Sequence, residues 1–319
     1  MRGVCKLSDS MKNKILKIGL IFCLAAILIS CGVEPIAALE PKYETGEITR
    51  VEDAYGIFFV YVPISDLTEG DILVLVHGTP AKTEAEEDTA RYYIEHWLEY
   101  AEKYGIVLIA PTFDQENFSS RKGEIEDMMT GYRGLFGREI GADEWVLRIV
   151  RAYQIQLFGY EDKFSLYGHS AGGQFVGRFL VTHPEEIEQA VITSAATYPQ
   201  PNPEIAWPFG MGELHSEIAW DDNTVRQEDV IPDEQKWLAA TQIPLTVLVG
   251  MNDSANSPVR PGQKGRNRIN IARNWVQDML LFAEENGLEC QYQYELIPGK
   301  GHSMSGLVEY SQRALAPMR

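Results

Sequence analysis

The sequence predicts an α/β fold: a mostly parallel sheet with helices on both faces, interrupted by an irregular, cap-like insertion. Two patterns carry that expectation. Short apolar runs without polar alternation recur at 71–76 (Asp-Ile-Leu-Val-Leu-Val), 106–110, 190–194 and 244–250. Such runs suit strands covered on both faces, as in a parallel sheet. Between them lie stretches of helical periodicity, two of which stop at Gly105 and Gly287. Strands alternating with helices imply a sheet wrapped on both sides. Right-handed crossovers then gather the C-terminal ends of the strands on one edge. That edge collects His77, Ser170, Asp253 and His302.

The chain begins differently. Lys12, Lys14 and Lys17 precede an apolar run from Leu20 to Ile29. A basic segment before a short apolar run describes a secretory signal, too short for a comfortable membrane span. The run ends in Leu28-Ile29-Ser30-Cys31, which resembles the lipobox of bacterial lipoproteins. That resemblance implies removal of residues 1–30 and lipidation of Cys31. The protein would then be exported and anchored at the cell surface or the periplasmic face of a membrane. An ordinary signal peptide or an uncleaved anchor would also export it, and either Met1 or Met11 can serve as the start. Residues 31–45, with Pro35 and Pro41, read as a tether. The folded domain then spans 46–319.

Two β-rich runs near 47–51 and 57–62 open the domain, joined as a hairpin through Tyr55-Gly56. The strand at 71–76 leads into His77-Gly78-Thr79-Pro80. Helical periodicity covers 84–104 and stops at Gly105, a suitable C-cap. A strand at 106–110 comes next, then a glycine-bearing loop to about residue 142 and a helix over 143–157. The strand at 164–169 runs into the turn around Ser170 and a helix. After the strand at 190–194 the pattern breaks down over 195–242, where prolines are scattered among Trp207, Phe209, Trp220 and Trp237. Long irregular segments inside a domain often carry function, so 195–242 reads as a cap or pocket-lining insertion. The strand at 244–250, a helix over 270–285, a strand at 290–297, the loop Gly299-Lys300-Gly301-His302 and a helix over 303–314 complete the chain.

The chemistry centres on Gly168-His169-Ser170-Ala171-Gly172. Gly-x-Ser-x-Gly between a strand and a helix is the nucleophile-elbow pattern. The turn is so tight that side chains two before and two after the serine would collide. A serine hydroxyl needs a base within hydrogen-bond reach, and a buried carboxylate orients and charge-balances that base. His302, in a glycine-rich loop after the last strand, is the candidate base. Asp253, after the strand at 244–250, is the candidate acid, ahead of Asp222 and Asp233 in the insertion. His96, His183 and His215 read as surface or packing residues. An oxyanion needs backbone donors, for which the Ala171 N–H and the Thr79 N–H are placed. His77, His169, Tyr198 and Trp207 are the candidate substrate-binding side chains, although His77 and His169 equally suit shaping of their own loops and the aromatic pair equally suits core packing.

His77-Gly78, Gly168-His169-Ser170-Ala171-Gly172, Asp253 and His302, each following the expected element, resemble the α/β-hydrolases. The stretch 168–175 is similar to that of secreted esterases and polyhydroxybutyrate-depolymerase-like proteins. The resemblance implies a serine hydrolase that cleaves a carboxylic ester, in a small molecule or a polymer, through a Ser170 acyl-enzyme. A serine peptidase on the same fold, or a catalytically silent homologue used for surface binding, are the alternatives. It implies no cofactor.

Composition narrows the partners. The chain has 319 residues, 45% hydrophobic, with a net charge of −18. So acidic a surface argues against nucleic acid, and membrane contact is expected only through a lipid on Cys31. No zinc-binding, phosphate-loop or dinucleotide motif is present, and no metal is expected. Cys290 has no disulfide partner if Cys31 is acylated. Against this acidity, Arg260, Lys264, Arg266, Arg268 and Arg273 form a local basic run. It reads either as a solvated face or as a patch turned toward an anionic substrate group.

Overall fold

Val74, wholly buried, sits in β3 (Ile72–Val76), a strand whose five residues are all apolar and all buried. With no polar face to turn to solvent, this strand must have helices on both sides. A computed structural model describes residues 39–68, 70–81, 84–119 and 129–315. The chain parts into two units, Met1–Glu40 and Pro41–Arg319, and the second holds all the described strands and helices. The expected signal segment, Cys31 and residues 31–38 of the tether lie outside the described residues. Residues from Lys42 onward are tied to the domain: Tyr153 Oη donates to the Lys42 carbonyl (2.6 Å) and accepts from its N–H (3.1 Å). Among the described residues, no helix is long and apolar enough to cross a membrane.

Among the described residues, eight strands form the main sheet. They are β1 (Ile48–Glu52), β2 (Ile57–Tyr61), β3, β4 (Val107–Pro111), β5 (Phe164–His169), β6 (Ile187–Thr193), β9 (Leu245–Gly250) and β10 (Tyr292–Ile297). Their spatial order is β1-β2-β4-β3-β5-β6-β9-β10. β1 and β2 form the expected antiparallel hairpin, whose turn is closed by Asp53 Oδ1 accepting from the N–H groups of Tyr55 and Gly56. β2 also runs antiparallel to β4. Every other neighbouring pair is parallel, which sets the C-terminal ends of six strands along one edge.

The helices are α1 (Glu86–Glu95), α2 (Leu98–Tyr104), α3 (Gln115–Phe118), α4 (Ala142–Phe158), α5 (Ala171–Thr182), α6 (Glu234–Ala240), α7 (Arg268–Glu285) and α8 (Met304–Ala314). Residues of α1, α2 and α8 share one buried cluster with Leu73, Leu75, Tyr167, Val191 and Leu248. Strand residues of the opposite parity meet the other layer: Phe58 packs on Trp145 of α4, and Phe164 on Phe179 of α5.

Two expectations about elements change. The single helix over 84–104 is two, because the His96 and Trp97 N–H groups bond three residues back, to Tyr93 and Ile94. That tighter turn redirects the chain and buries Trp97 completely against Tyr100 and Tyr167. The insertion 195–242 is not irregular throughout. It holds β7 (Leu214–Ala219) and β8 (Val225–Val230), paired antiparallel as a separate two-stranded sheet, and then α6. Its proline-rich first part is bonded to the body: Arg178 Nε donates to the Pro208 carbonyl, Trp207 Nε1 to Gly134 and Trp275 Nε1 to Pro199.

Candidate active site

Ser170 links β5 to α5 with φ 55° and ψ −111°. A left-handed conformation is costly for a residue with a Cβ and persists only where its surroundings enforce it. The glycines explain how. A Cβ on Gly168 would overlap the Gly172 carbonyl, and one on Gly172 would overlap the carbonyl of Val76. The turn is thus wedged between its own helix and β3. The Ser170 N–H is satisfied by the Thr193 carbonyl at the end of β6, at 2.8 Å. Ala171 opens α5, so its N–H has no carbonyl four residues back and faces outward with the positive end of the helix.

Ser170 Oγ lies 3.1 Å from Nε2 of His302, and Nδ1 of His302 lies 2.8 Å from Oδ2 of Asp253. The three side chains come from the ends of β5, β10 and β9. They form one hydrogen-bonded line from an accessible hydroxyl to a carboxylate only 1% exposed. Asp253 is held in turn by its own N–H, which donates to the Gly250 carbonyl, and by Arg268 Nη1, which donates to Oδ1 at 3.0 Å. Burial pushes the Asp253 carboxyl up, but the hydrogen bond and charge of His302 and the Arg268 guanidinium outweigh it and hold it below the usual carboxylate value. The acid is therefore ionised over the neutral range.

The loop after β3 meets the elbow. A Cβ on Gly78 would lie 3.3 Å from Ser170 Cβ and 3.2 Å from the His169 carbonyl oxygen, so a side chain there would press on the elbow. Tyr93 Oη accepts from the Gly78 N–H at 2.9 Å. His77 locks the loop from beneath: its Nε2 accepts from the Phe113 N–H (3.0 Å), which leaves the proton on Nδ1 to donate to the Gly78 carbonyl (2.7 Å). Thr79 comes next, exposed, with its hydroxyl accepting from Arg133 Nη2 at 2.6 Å.

The residues expected to bind substrate divide otherwise. His77 is fully buried, with both ring nitrogens engaged by the backbone of Gly78 and Phe113. His169 is also buried. Its Nδ1 pairs with Thr193 Oγ1 at 2.8 Å, and its ring packs 4.9 Å from that of His302, so it supports the line from the side. Burial drives its imidazole down to about 3. Tyr198 and Trp207 are core residues: Tyr198 stacks on Trp275 at 4.4 Å, and Trp207 is 2% exposed with its N–H on Gly134. Trp207 instead borders a cavity of about 170 Å³ whose lining includes neither Ser170 nor His302. His183 pairs with Asp143, His215 with Asp229, and His96 bonds its own helix at the Tyr92 carbonyl. Asp233 caps α6 by accepting from the Gln235 N–H. Among the described residues, no group of three His, Cys, Asp or Glu side chains could hold a metal ion.

The basic run does not act as a unit. Lys264 pairs with Asp278, Arg273 bonds Asn270, and Arg268 turns inward to Asp253. Sequence reasoning placed Arg268 only within the basic run, not on Asp253, and missed Thr193 as part of the site. For Arg268 a signal existed: a cation in the first turn of a helix is unfavourable, so a carboxylate should stand opposite it. Nothing in the sequence marks Thr193.

A family model described as the alpha/beta hydrolase fold matches residues 71–287. No match is found among curated proteins. Among solved structures, poly(aspartic acid) hydrolase-1 from Sphingomonas sp. KT-1 aligns with a TM-score of 0.64 at 21% identity, over 86% of this chain and 98% of that one. LpqC, a poly(3-hydroxybutyrate) depolymerase from Bordetella parapertussis, aligns with a TM-score of 0.65 at 20% identity, over 86% of this chain and 91% of that one. At these identities the likeness is one of fold.

Proposed function

This chain belongs to the α/β-hydrolase fold family, and from that premise we propose that it is an exported serine hydrolase cleaving a carboxylic ester, or a related acyl bond, through an acyl-enzyme on Ser170. The observation that carries this reading is the hydrogen-bonded line Ser170–His302–Asp253. Ser170 Oγ attacks the acyl carbon as its proton passes to Nε2 of His302, and the carbonyl π pair moves onto oxygen. The N–H groups of Thr79 and Ala171 hold that oxyanion. Asp253 keeps the proton of the resting ring on Nδ1 and stabilises the imidazolium. Collapse of the intermediate breaks the bond to the leaving alkoxide, which takes the proton from Nε2. Water then attacks the acyl-enzyme by the same steps, with its proton relayed through His302 back to Ser170.

Export and a lipid on Cys31 belong to the same proposal and are supported by the basic segment, apolar run and Leu28-Ile29-Ser30-Cys31 ending. The deciding experiment uses a short-chain aryl ester and a fluorophosphonate probe. The wild type should turn over the ester and label at Ser170, and Ser170→Ala should do neither. Turnover retained in Ser170→Ala would overturn the mechanism, and a wild type that neither labels nor turns over ester would favour a silent binding role. A panel of esters and amides of varied acyl length and charge then defines the substrate.

A further inference from the structure

Asp253 faces two bases at once: Oδ2 meets His302 Nδ1 at 2.8 Å, and Oδ1 meets Arg268 Nη1 at 3.0 Å. We propose that Arg268 is a positioning residue that acts through Asp253 on His302 and sets the acid limit of hydrolysis. This rests on the reading of Ser170, His302 and Asp253 as the catalytic line.

The placement of Arg268 is built. It is the first residue of α7, directly after the N-cap Asn267, whose side chain accepts from the Asn270 N–H. The preceding loop is folded back toward Asp253: Asn256 and Asn267 form an isolated bridge, and the Ser257 N–H donates to the Arg266 carbonyl. A cation in the first turn opposes the helix dipole, so the helix itself does not ask for arginine there. Asp253 does. Its carboxylate is buried, and an ionised oxygen out of water needs a charged or hydrogen-bonding partner on each side. His302 supplies one side and Arg268 the other.

The chemical consequence follows from charge. To take the Ser170 proton, His302 must be neutral. A bare carboxylate at Nδ1 favours the protonated ring. A guanidinium on the opposite oxygen draws on the same negative charge and weakens that preference. It also fixes the plane of the carboxylate, and with it the aim of the imidazole. The other groups facing the pair do not supply this charge. From β5, His169 packs on the His302 ring but is held neutral by burial. From the elbow comes the Ser170 hydroxyl. After β6, the Ser194 hydroxyl and the Tyr198 phenol, which burial keeps protonated, bear on Asp253.

The test compares full-length wild type with Arg268→Gln, Arg268→Met and Arg268→Lys. The acid limb of kcat/KM for the aryl ester should move up by about one pH unit in the two neutral variants. It should stay near its wild-type position in Arg268→Lys. In a Ser170→Ala background, the low-field Nδ1 proton resonance of His302 should change form at a pH displaced by the same amount. An acid limb that stays in place in a folded neutral variant, with kcat lowered evenly at all pH, overturns the proposal. Loss of fold in both neutral variants also overturns it, by assigning Arg268 to stability alone. The resonance needs no turnover, so failure of the hydrolase reading, seen as activity retained in Ser170→Ala, is distinguishable from failure of this one.

Discussion

Gly172 lies against Val76 so tightly that a Cβ on residue 172 would sit 2.7 Å from the Val76 carbonyl carbon and 2.8 Å from the His77 carbonyl oxygen. Both neighbours are backbone, one in the central strand β3 and one in the loop behind Thr79. Neither can yield as a flexible side chain would. Gly172→Ala must therefore push α5 away from β3, and Ser170 and the Ala171 N–H move with α5. The expected cost is about 3 kcal/mol or more, with fluorophosphonate labelling lost even in the fraction that folds. Gly301→Ala is the control, since a Cβ there meets nothing within 4 Å. Its stability should change by less than about 0.5 kcal/mol. Equal denaturation midpoints for Gly172→Ala and the wild type would refute the wedge.

A second expectation concerns pH and the loop beneath Thr79. Burial, helped by the Arg133 charge and opposed by the Gly78 carbonyl bond, lowers the His77 imidazole to about 4. In the unfolded chain it titrates near 6.5. The unfolded state therefore binds a proton below about pH 6.5 that the folded state refuses, and stability falls as the pH drops from there toward 4. By pH 4.5 the loss from His77 alone is about 2 to 3 kcal/mol. His77→Gln should be less stable than the wild type at pH 7 yet lose less on acidification to pH 4.5. Denaturant unfolding at the two pH values measures this, and parallel losses in the two proteins would count against it.

The sequence made the sheet edge legible because each element there carries a local signature. β3 and β9 are apolar runs, the elbow is a spaced glycine pattern, and His302 sits among glycines. The insertion was less legible. Val225–Val230 alternates half-buried with exposed residues and contains Arg226, Glu228 and Asp229, so its apolar signal is weak. Its aromatic residues stayed ambiguous for a related reason: composition does not say which way a ring turns. Trp207 and Tyr198 face Gly134 and Trp275, contacts more than sixty residues away in the chain. For Arg268 the first-turn position asked for a carboxylate without saying which one, since fifteen residues separate it from Asp253 and no periodicity connects them.

Membrane attachment can be tested at one atom. If the sulfur of Cys31 carries the lipid, Cys31→Ser expressed in a bacterial host that processes lipoproteins should move the protein from the membrane fraction to the soluble one. It should also abolish metabolic labelling with palmitate. Hydrolysis by the released protein should match that of the anchored one, because the domain is tied together from Lys42 onward. Membrane retention of Cys31→Ser would point to an uncleaved anchor in its place.

Asp253→Asn isolates what the carboxylate contributes, and Arg268 fixes the direction of the effect. An amide at position 253 offers one acceptor and one donor group. Arg268 Nη1 can only donate, so it captures the amide oxygen, at the place Oδ1 now occupies. The NH₂ group is then turned toward Nδ1 of His302, which must accept. That tautomer carries its proton on Nε2, facing Ser170 Oγ, and cannot receive the hydroxyl proton. The turnover number should fall by about 10⁴-fold, with KM for the aryl ester nearly unchanged, since Asp253 is buried away from bound substrate. Adding Arg268→Gln removes the bias on the amide, because glutamine can accept as well as donate. The double variant should then recover part of the activity lost by Asp253→Asn alone. A double variant as slow as the product of the two single losses would show that Arg268 does not orient residue 253.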